Sequence, residues 1–166
     1  MILRLLHRLP PHERFMIVAL VIAVTITAAT LAWERFTAEW LAEDADPQRA
    51  AQVRLGETVY GRACAACHGQ RLEGQAGWEE VLPEGGRKAM PLDRTGFAWR
   101  KSDVELAQIV KYGGQPFSPA GYRNDMPGFE AQLSDAEIWA VLAYMKSRWP
   151  QPFRDRQKEI SEGRAP

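Results

Sequence analysis

Cys64-Ala65-Ala66-Cys67-His68 is the stretch of this sequence in which residue types and spacing speak most directly of chemistry. C-x-x-C-H is the spacing of covalent c-type haem attachment. Two thiols three positions apart at the end of a helix can both form thioethers to the porphyrin vinyl groups, and the adjacent imidazole of His68 then lies under the iron. Rival chemistries want company that is missing here. A thioredoxin-like dithiol belongs in a βαβ setting, and no stretch alternates long enough to make a strand. A zinc site wants further Cys or His, and the only other histidines, His7 and His12, precede a long apolar run that separates them from the motif. Two cysteines are also too few for a disulfide scaffold.

An iron held by one histidine has a sixth position to fill, and the sequence offers five methionines. Met1 and Met16 lie on or before the apolar run, and Met145 sits mid-helix on an apolar face, where packing is its role. Met90 and Met126 remain. Met126 stands in Asn124-Asp125-Met126-Pro127-Gly128-Phe129, at the end of a Gly/Pro-rich loop just before the last helix, where its thioether can be held rigidly opposite His68. Met90 also precedes a proline but follows His68 by only 22 residues, and is the weaker alternative. A thioether is a soft ligand that favours Fe(II) and raises the reduction potential. Trp99 and Arg100 are candidates for the haem propionates, because an indole N–H and a guanidinium both suit carboxylates; the competing reading makes Trp99 core and Arg100 surface charge. Trp78 and Trp139 read as packing, and Lys146, Arg148, Arg154, Arg156 and Lys158 as solvated charge.

These residues need a scaffold. In 166 residues, 46% are apolar and the 21 basic and 21 acidic side chains cancel, so nothing draws the chain to nucleic acid. Phe15 to Trp33 is a run of 19 uncharged residues, which reads as a transmembrane anchor over 15–33 with a cleaved signal peptide, using Thr27, Ala28 and Ala29, as the alternative. Arg4, Arg8 and Arg14 precede it, while Glu34, Glu39, Glu43, Asp44 and Asp46 follow, so residues 1–14 are expected in the cytoplasm and the rest outside. Residues 34–46 read as an acidic linker, 47–150 as the haem domain and 151–166 as a polar tail.

Asp46-Pro47 predicts a helix start, and Val53, Gly56, Tyr60 and Ala63 make one face of a helix over 47–63. Ser102 to Glu105 and Ser134 to Glu137 match the capping box, so two further helices start there. One stops at Gly113; the other carries Ile138, Val141, Leu142 and Met145 and ends before Pro150. Loops 69–101 and 113–128 are thick with Gly and Pro. The class is all-α, with long loops that a large bound group would hold.

The sequence resembles the class I cytochromes c, in particular the membrane-anchored monohaem cytochromes of bacteria, over residues 47–150. The resemblance rests on Cys64-Ala65-Ala66-Cys67-His68-Gly69, on Met126-Pro127, on Gly56 and Tyr60, and on Leu142-Ala143-Tyr144-Met145-Lys146. It implies three or more helices around one covalent haem c, with His68 and Met126 as axial ligands. It also implies a close crossing of first and last helices at Gly56, Tyr60, Val141 and Tyr144. A proline carbonyl is expected to accept the His68 N–H, with Pro91 as the candidate and Pro83 as the rival. The implied role is a periplasmic, inner-membrane-tethered electron carrier. Its partners would be a quinol-oxidising complex or dehydrogenase, a terminal oxidase, a copper protein or another cytochrome. A haem-based ligand sensor or peroxidase, and a fixed electron-entry subunit of a larger redox complex, are the alternatives.

Overall fold

The structure, a computed structural model, describes residues 10–40, 44–83 and 85–165. It divides into two compact units, residues 1–40 and 41–166. The described residues are helical, with no strand among them.

In the first unit, α1 (Pro11–Trp40) contains an apolar stretch, Pro11–Trp33, with none of its surface buried. Its 23 residues would extend about 34 Å at the helical rise, against a bilayer core of about 30 Å. The hydroxyls within it are internally satisfied: Thr25 donates to the Ile22 carbonyl, Thr27 to Ala23 and Thr30 to Thr27, each at 2.9 Å. That is the arrangement a polar side chain needs where no water reaches it. Arg4, Arg8 and His7 lie outside the described residues. The expected linker begins later than its composition suggests, because α1 runs on to Trp40. No glycine or proline interrupts residues 34–40, and Ala, Glu and Arg sustain a helix.

The second unit is built on α2 (Ala50–Ala63) and α5 (Asp135–Ser147), which pack against each other. At their crossing an added Cβ on Gly56 would fall inside the Ala140 carbonyl group and lie 2.9 Å from the Tyr144 Cβ, so only glycine permits the approach. One turn along, the Tyr60 and Tyr144 rings meet with centroids 5.3 Å apart. Val141, expected at this crossing, is buried beside it. Helix α2 starts at Ala50 rather than Pro47. Asp46 makes a turn instead, its Oδ1 accepting the Gln48 N–H at 2.8 Å, and buried Gln52 reaches back to the Asp44 carbonyl at 2.6 Å and the Asp46 N–H at 3.0 Å. The four-residue turn α3 (Ala65–His68) follows at once.

Helix α4 (Asp103–Tyr112) and α5 start as expected, with both halves of each capping box formed. Gly113 ends α4 at φ +85°, and a Cβ there would sit 2.9 Å from the Met126 carbonyl oxygen. Residues 151–166 are not simply a polar tail: Gln151–Ser161 form α6, which packs on a 3-10 turn at Ala98–Arg100. Lys146 is not a solvated charge either. It is 7% exposed and binds both carboxylate oxygens of Asp103, at 2.9 and 2.8 Å. The salt bridges of Arg156 and Lys158 are exposed, as expected.

The Ser134 cap has a measurable consequence. Backbone hydrogen bonding at Ser134 holds the Glu137 carboxyl below its usual range, helped by Ser134 Oγ and the Arg62 guanidinium. A carboxyl depressed in the folded state contributes stability above its unfolded pKa that is lost as pH falls through the folded value. We therefore expect Ser134→Ala to cost about 1 kcal/mol in urea unfolding through loss of the cap, and Glu137→Gln to destabilise near neutral pH by an amount that shrinks as the solution is acidified below about pH 4. A Glu137→Gln difference independent of pH would contradict the charged half of the box.

Candidate functional site

Cys64 closes α2 and opens α3. Its N–H donates to the Tyr60 carbonyl at 2.9 Å, and its own carbonyl accepts the N–H groups of Cys67 and His68 at 3.1 and 2.9 Å. The motif is thus one continuous turn, which sets the two sulfurs at the i,i+3 spacing of helical neighbours and His68 directly after them. Tyr60, whose phenol is pushed up by burial, donates to the Gly69 carbonyl at 2.7 Å and ties the exit of the turn to α2. The two cysteines form no disulfide. Burial, with the Cys67 charge adding, pushes the Cys64 thiol up to about 11, opposite to the depressed value of a redox-active dithiol. Among the described residues no three or more His, Cys, Asp or Glu side chains come together to hold a metal ion.

His68 Nδ1 lies 2.8 Å from the carbonyl oxygen of Met90. A carbonyl only accepts, so Nδ1 carries the proton and Nε2 keeps its lone pair, the tautomer a metal-binding imidazole needs. Burial pulls the His68 pKa below its ordinary value, and the Met90 bond opposes that shift. The acceptor is neither Pro91 nor Pro83. A residue before proline is pushed to extended backbone, and here that residue, Met90, is the one whose carbonyl meets the imidazole. The Pro91 carbonyl faces Gly96, where an added Cβ would collide with it. Loop 69–101 makes this possible by folding back on itself: Gly74 N–H bonds the His68 carbonyl at 2.8 Å, Gln75 N–H the Ala89 carbonyl at 3.0 Å, and Leu92 N–H the Leu72 carbonyl at 2.8 Å.

Met126 is held by the second loop. Its N–H donates to Asn124 Oδ1 at 3.1 Å and its carbonyl accepts from Gly114 N–H at 3.0 Å. Asn124 is itself fixed, its N–H to Gln115 Oε1 at 2.8 Å and its Nδ2 to Ser118 Oγ at 3.0 Å. Phe129 N–H then returns to the α4 carbonyls of Val110 and Lys111 at 3.1 and 3.0 Å. Met90 enters the site through its backbone carbonyl, which accepts the His68 bond. Cys64, Met90, Trp99 and Met126 all line one hydrophobic core as half-buried groups.

Trp99 Nε1 is buried and has no hydrogen-bond partner among the described residues. The Arg100 guanidinium is exposed and stacks over the Phe97 and Trp99 rings, 5.0 and 4.8 Å from their centroids. Trp78 packs edge-on against Phe97, as expected of a packing residue, and Trp139 is half-buried on the core. Sequence reasoning missed the Met90 carbonyl, since a backbone acceptor leaves no side-chain signature.

A sequence model described as cytochrome c oxidase, cbb3-type, subunit III matches residues 51–145. The chain is 31% identical over 112 residues to the cbb3-type cytochrome c oxidase subunit FixP of Bradyrhizobium sp. (strain ORS 278), covering 66% of this chain and 35% of that one. It is 30% identical over 100 residues to the cytochrome c subunit of a quinone alcohol dehydrogenase of Gluconobacter oxydans (strain 621H), covering 59% and 19%. Over 104 residues it is 31% identical to a thiosulfate dehydrogenase of Stutzerimonas stutzeri (strain A1501), covering 61% and 29%. The chain spans about a third or less of the length of these curated relatives. No solved structure matches it. With more than half of its residues matched and the C-x-x-C-H turn inside the match, the chain belongs to the c-type cytochrome family described as cytochrome c oxidase, cbb3-type, subunit III.

Proposed function

We propose that this chain is a membrane-anchored monohaem cytochrome that carries single electrons, its haem c joined through Cys64 and Cys67 and its iron held between His68 and Met126. The observation that carries the reading is the His68 turn, with both thiols one turn apart and the imidazole fixed as its Nδ1–H tautomer by Met90. Cys64, Met90, Trp99 and Met126 are half-buried against one apolar core, which suits a large apolar ring, and the unpaired Trp99 N–H suits one of its carboxylates. A buried donor left unpaired costs about 1–3 kcal/mol, which a propionate acceptor would relieve. Arg100, stacked and exposed, suits the outer side of the same carboxylate. Bound here, the haem supplies a one-electron Fe(III)/Fe(II) couple.

The protein's part is to hold geometry. The Met90 bond fixes the His68 ring and leaves the Nε2 lone pair for the iron, and Asn124 holds the Met126 backbone from which the thioether extends. With His68 and Met126 both holding the iron, no position would be left for a substrate, which separates a carrier from a sensor or peroxidase. Helix α1 supplies the anchor in a bacterial inner membrane with the haem domain in the periplasm, on the charge asymmetry around it. Its donor would be a quinol-oxidising complex or dehydrogenase, and its acceptor a terminal oxidase, a copper protein or another cytochrome. Because the matched relatives include named subunits of an oxidase and a dehydrogenase, residence in a larger complex is the second reading. Purification from native membranes separates the two by fixed stoichiometry.

Colour should stay with the polypeptide on a denaturing gel stained for haem peroxidase activity, and haem released by acid acetone would contradict the attachment. The chain should resist salt washing of membranes, and an intact mass beginning near residue 30 would instead indicate cleavage after the small residues Thr27, Ala28 and Ala29.

Replacing Met126 with Ala should lower the reduction potential, admit carbon monoxide to the ferrous protein, and abolish the weak red absorption band of oxidised iron–thioether bonding. Met90→Ala should do none of these. The band vanishing with Met90→Ala while persisting in Met126→Ala would reverse the ligand assignment.

A further inference from the structure

Helix α6 meets the core at the residue whose N–H is unpaired. Phe153 meets the Trp99 ring edge to face, with centroids 5.0 Å apart and planes at 89°. Gln157, wholly buried, donates from Nε2 to the Lys101 carbonyl at 3.2 Å, just past the 3-10 turn that carries Trp99. The same nitrogen reaches Asp103 Oδ1 at 2.7 Å and Ser161 Oγ at 2.9 Å, and Ser161 Oγ accepts the Asp103 N–H at 3.0 Å. Lys146 of α5 holds the same Asp103 carboxylate, and Trp149, at the corner between α5 and α6, donates from Nε1 to the Leu92 carbonyl at 2.8 Å. Gln157 itself is held through its amide nitrogen alone, its Oε1 being buried without a hydrogen-bond partner among the described residues. The turn bearing Trp99 is therefore gripped at its ring by Phe153 and at its exit by Gln157 and Ser161, all from a helix beyond the matched residues 51–145.

We propose that α6 is a positioning element of the haem pocket: Phe153, seated by Gln157, fixes the Trp99 indole so that its N–H meets a haem propionate and sets the charge felt at the iron. This rests on Trp99 being the propionate donor. A carboxylate near the iron favours Fe(III), and an N–H donor offsets part of that charge, so a loosened indole lowers the reduction potential. Trp99 and Phe153 act in series, which makes their effects non-additive.

The test uses the full-length, haem-loaded protein in detergent. It compares Trp99→Phe, Phe153→Ala, Phe153→Leu, Phe153→Tyr and the pair Trp99→Phe with Phe153→Ala by reduction potential. Exchange of the Trp99 indole proton is followed by NMR in the reduced state. We expect Trp99→Phe and Phe153→Ala each to lower the potential, Phe153→Tyr to retain it because the ring remains, and the pair to shift no further than Trp99→Phe alone. The indole proton should exchange faster in Phe153→Ala. Phe153→Leu, which keeps most of the volume without the ring, should behave like Phe153→Ala and serves where the smaller residue prevents folding. An unchanged potential in both ring-deleting variants, with Trp99→Phe lowered, overturns the role of α6 and leaves the Trp99 assignment standing. No shift in Trp99→Phe overturns that assignment and the proposal with it. Additive shifts in the pair overturn the route through Trp99.

Discussion

The second unit depends on one close approach, the contact of the α2 backbone at Gly56 with the α5 backbone at Ala140. Helix α2 ends in Cys64, so whatever fixes α2 also fixes the thiols and the imidazole beyond it. A side chain at residue 56 would push the helices apart and separate the Tyr60 and Tyr144 rings, now 5.3 Å between centroids. Tyr60 carries the constraint forward through its bond to Gly69, so the C-x-x-C-H turn is bounded at entry and exit by residues answering to the same crossing. Ala140 and Ala143 are fully buried, and small residues there let α5 lie against its neighbours. The precision a metal ligand needs is thus borrowed from helix packing, where interiors are dense and resist small displacements.

The loops use different physics. Among the described residues of 69–101 and 113–128 no regular element is longer than a 3-10 turn, so position comes from individual hydrogen bonds rather than a ladder. Asn124 illustrates the device: one side chain accepts from Met126 and donates to Ser118, replacing backbone pairing that Pro116, Pro119 and Pro127 cannot supply. In the first loop the residue before Pro91 contributes through its carbonyl. Proline at 91 therefore matters for the conformation it imposes on Met90 rather than for an acceptor of its own.

Much of this was legible in the residues. The attachment motif, the two capping boxes and the Gly113 stop are local patterns, and local patterns survive folding. What was hidden was non-local or polar. Helix α6 has Pro150 and Pro152 at its start, a fair helix signal, but its buried residue is Gln157, and hydrophobic periodicity does not register an amide. Lys146 reads as surface charge until Asp103, 43 residues earlier, is brought to 2.8 Å. The displaced start of α2 is likewise polar and non-local in origin: Gln52 ties the Asp44 carbonyl and the Asp46 N–H to the helix, and Asp46 accepts from Gln48 in a turn ahead of it.

Loop 69–101 raises the question of what holds it in place. Among its described residues the buried side chains are few for its length, Leu72, Pro91, Leu92 and Ala98. Its path is fixed instead one bond at a time, by Gly74 to the His68 carbonyl, Gln75 to Ala89 and Leu92 to Leu72, with His68 Nδ1 meeting the Met90 carbonyl between them. The same bonds therefore order the loop and orient the imidazole, so a change that loosens one loosens the other. A haem joined at Cys64 and Cys67, as proposed, would add a second restraint from the other side, because thioether bonds would keep it beside the loop however weakly any single contact holds.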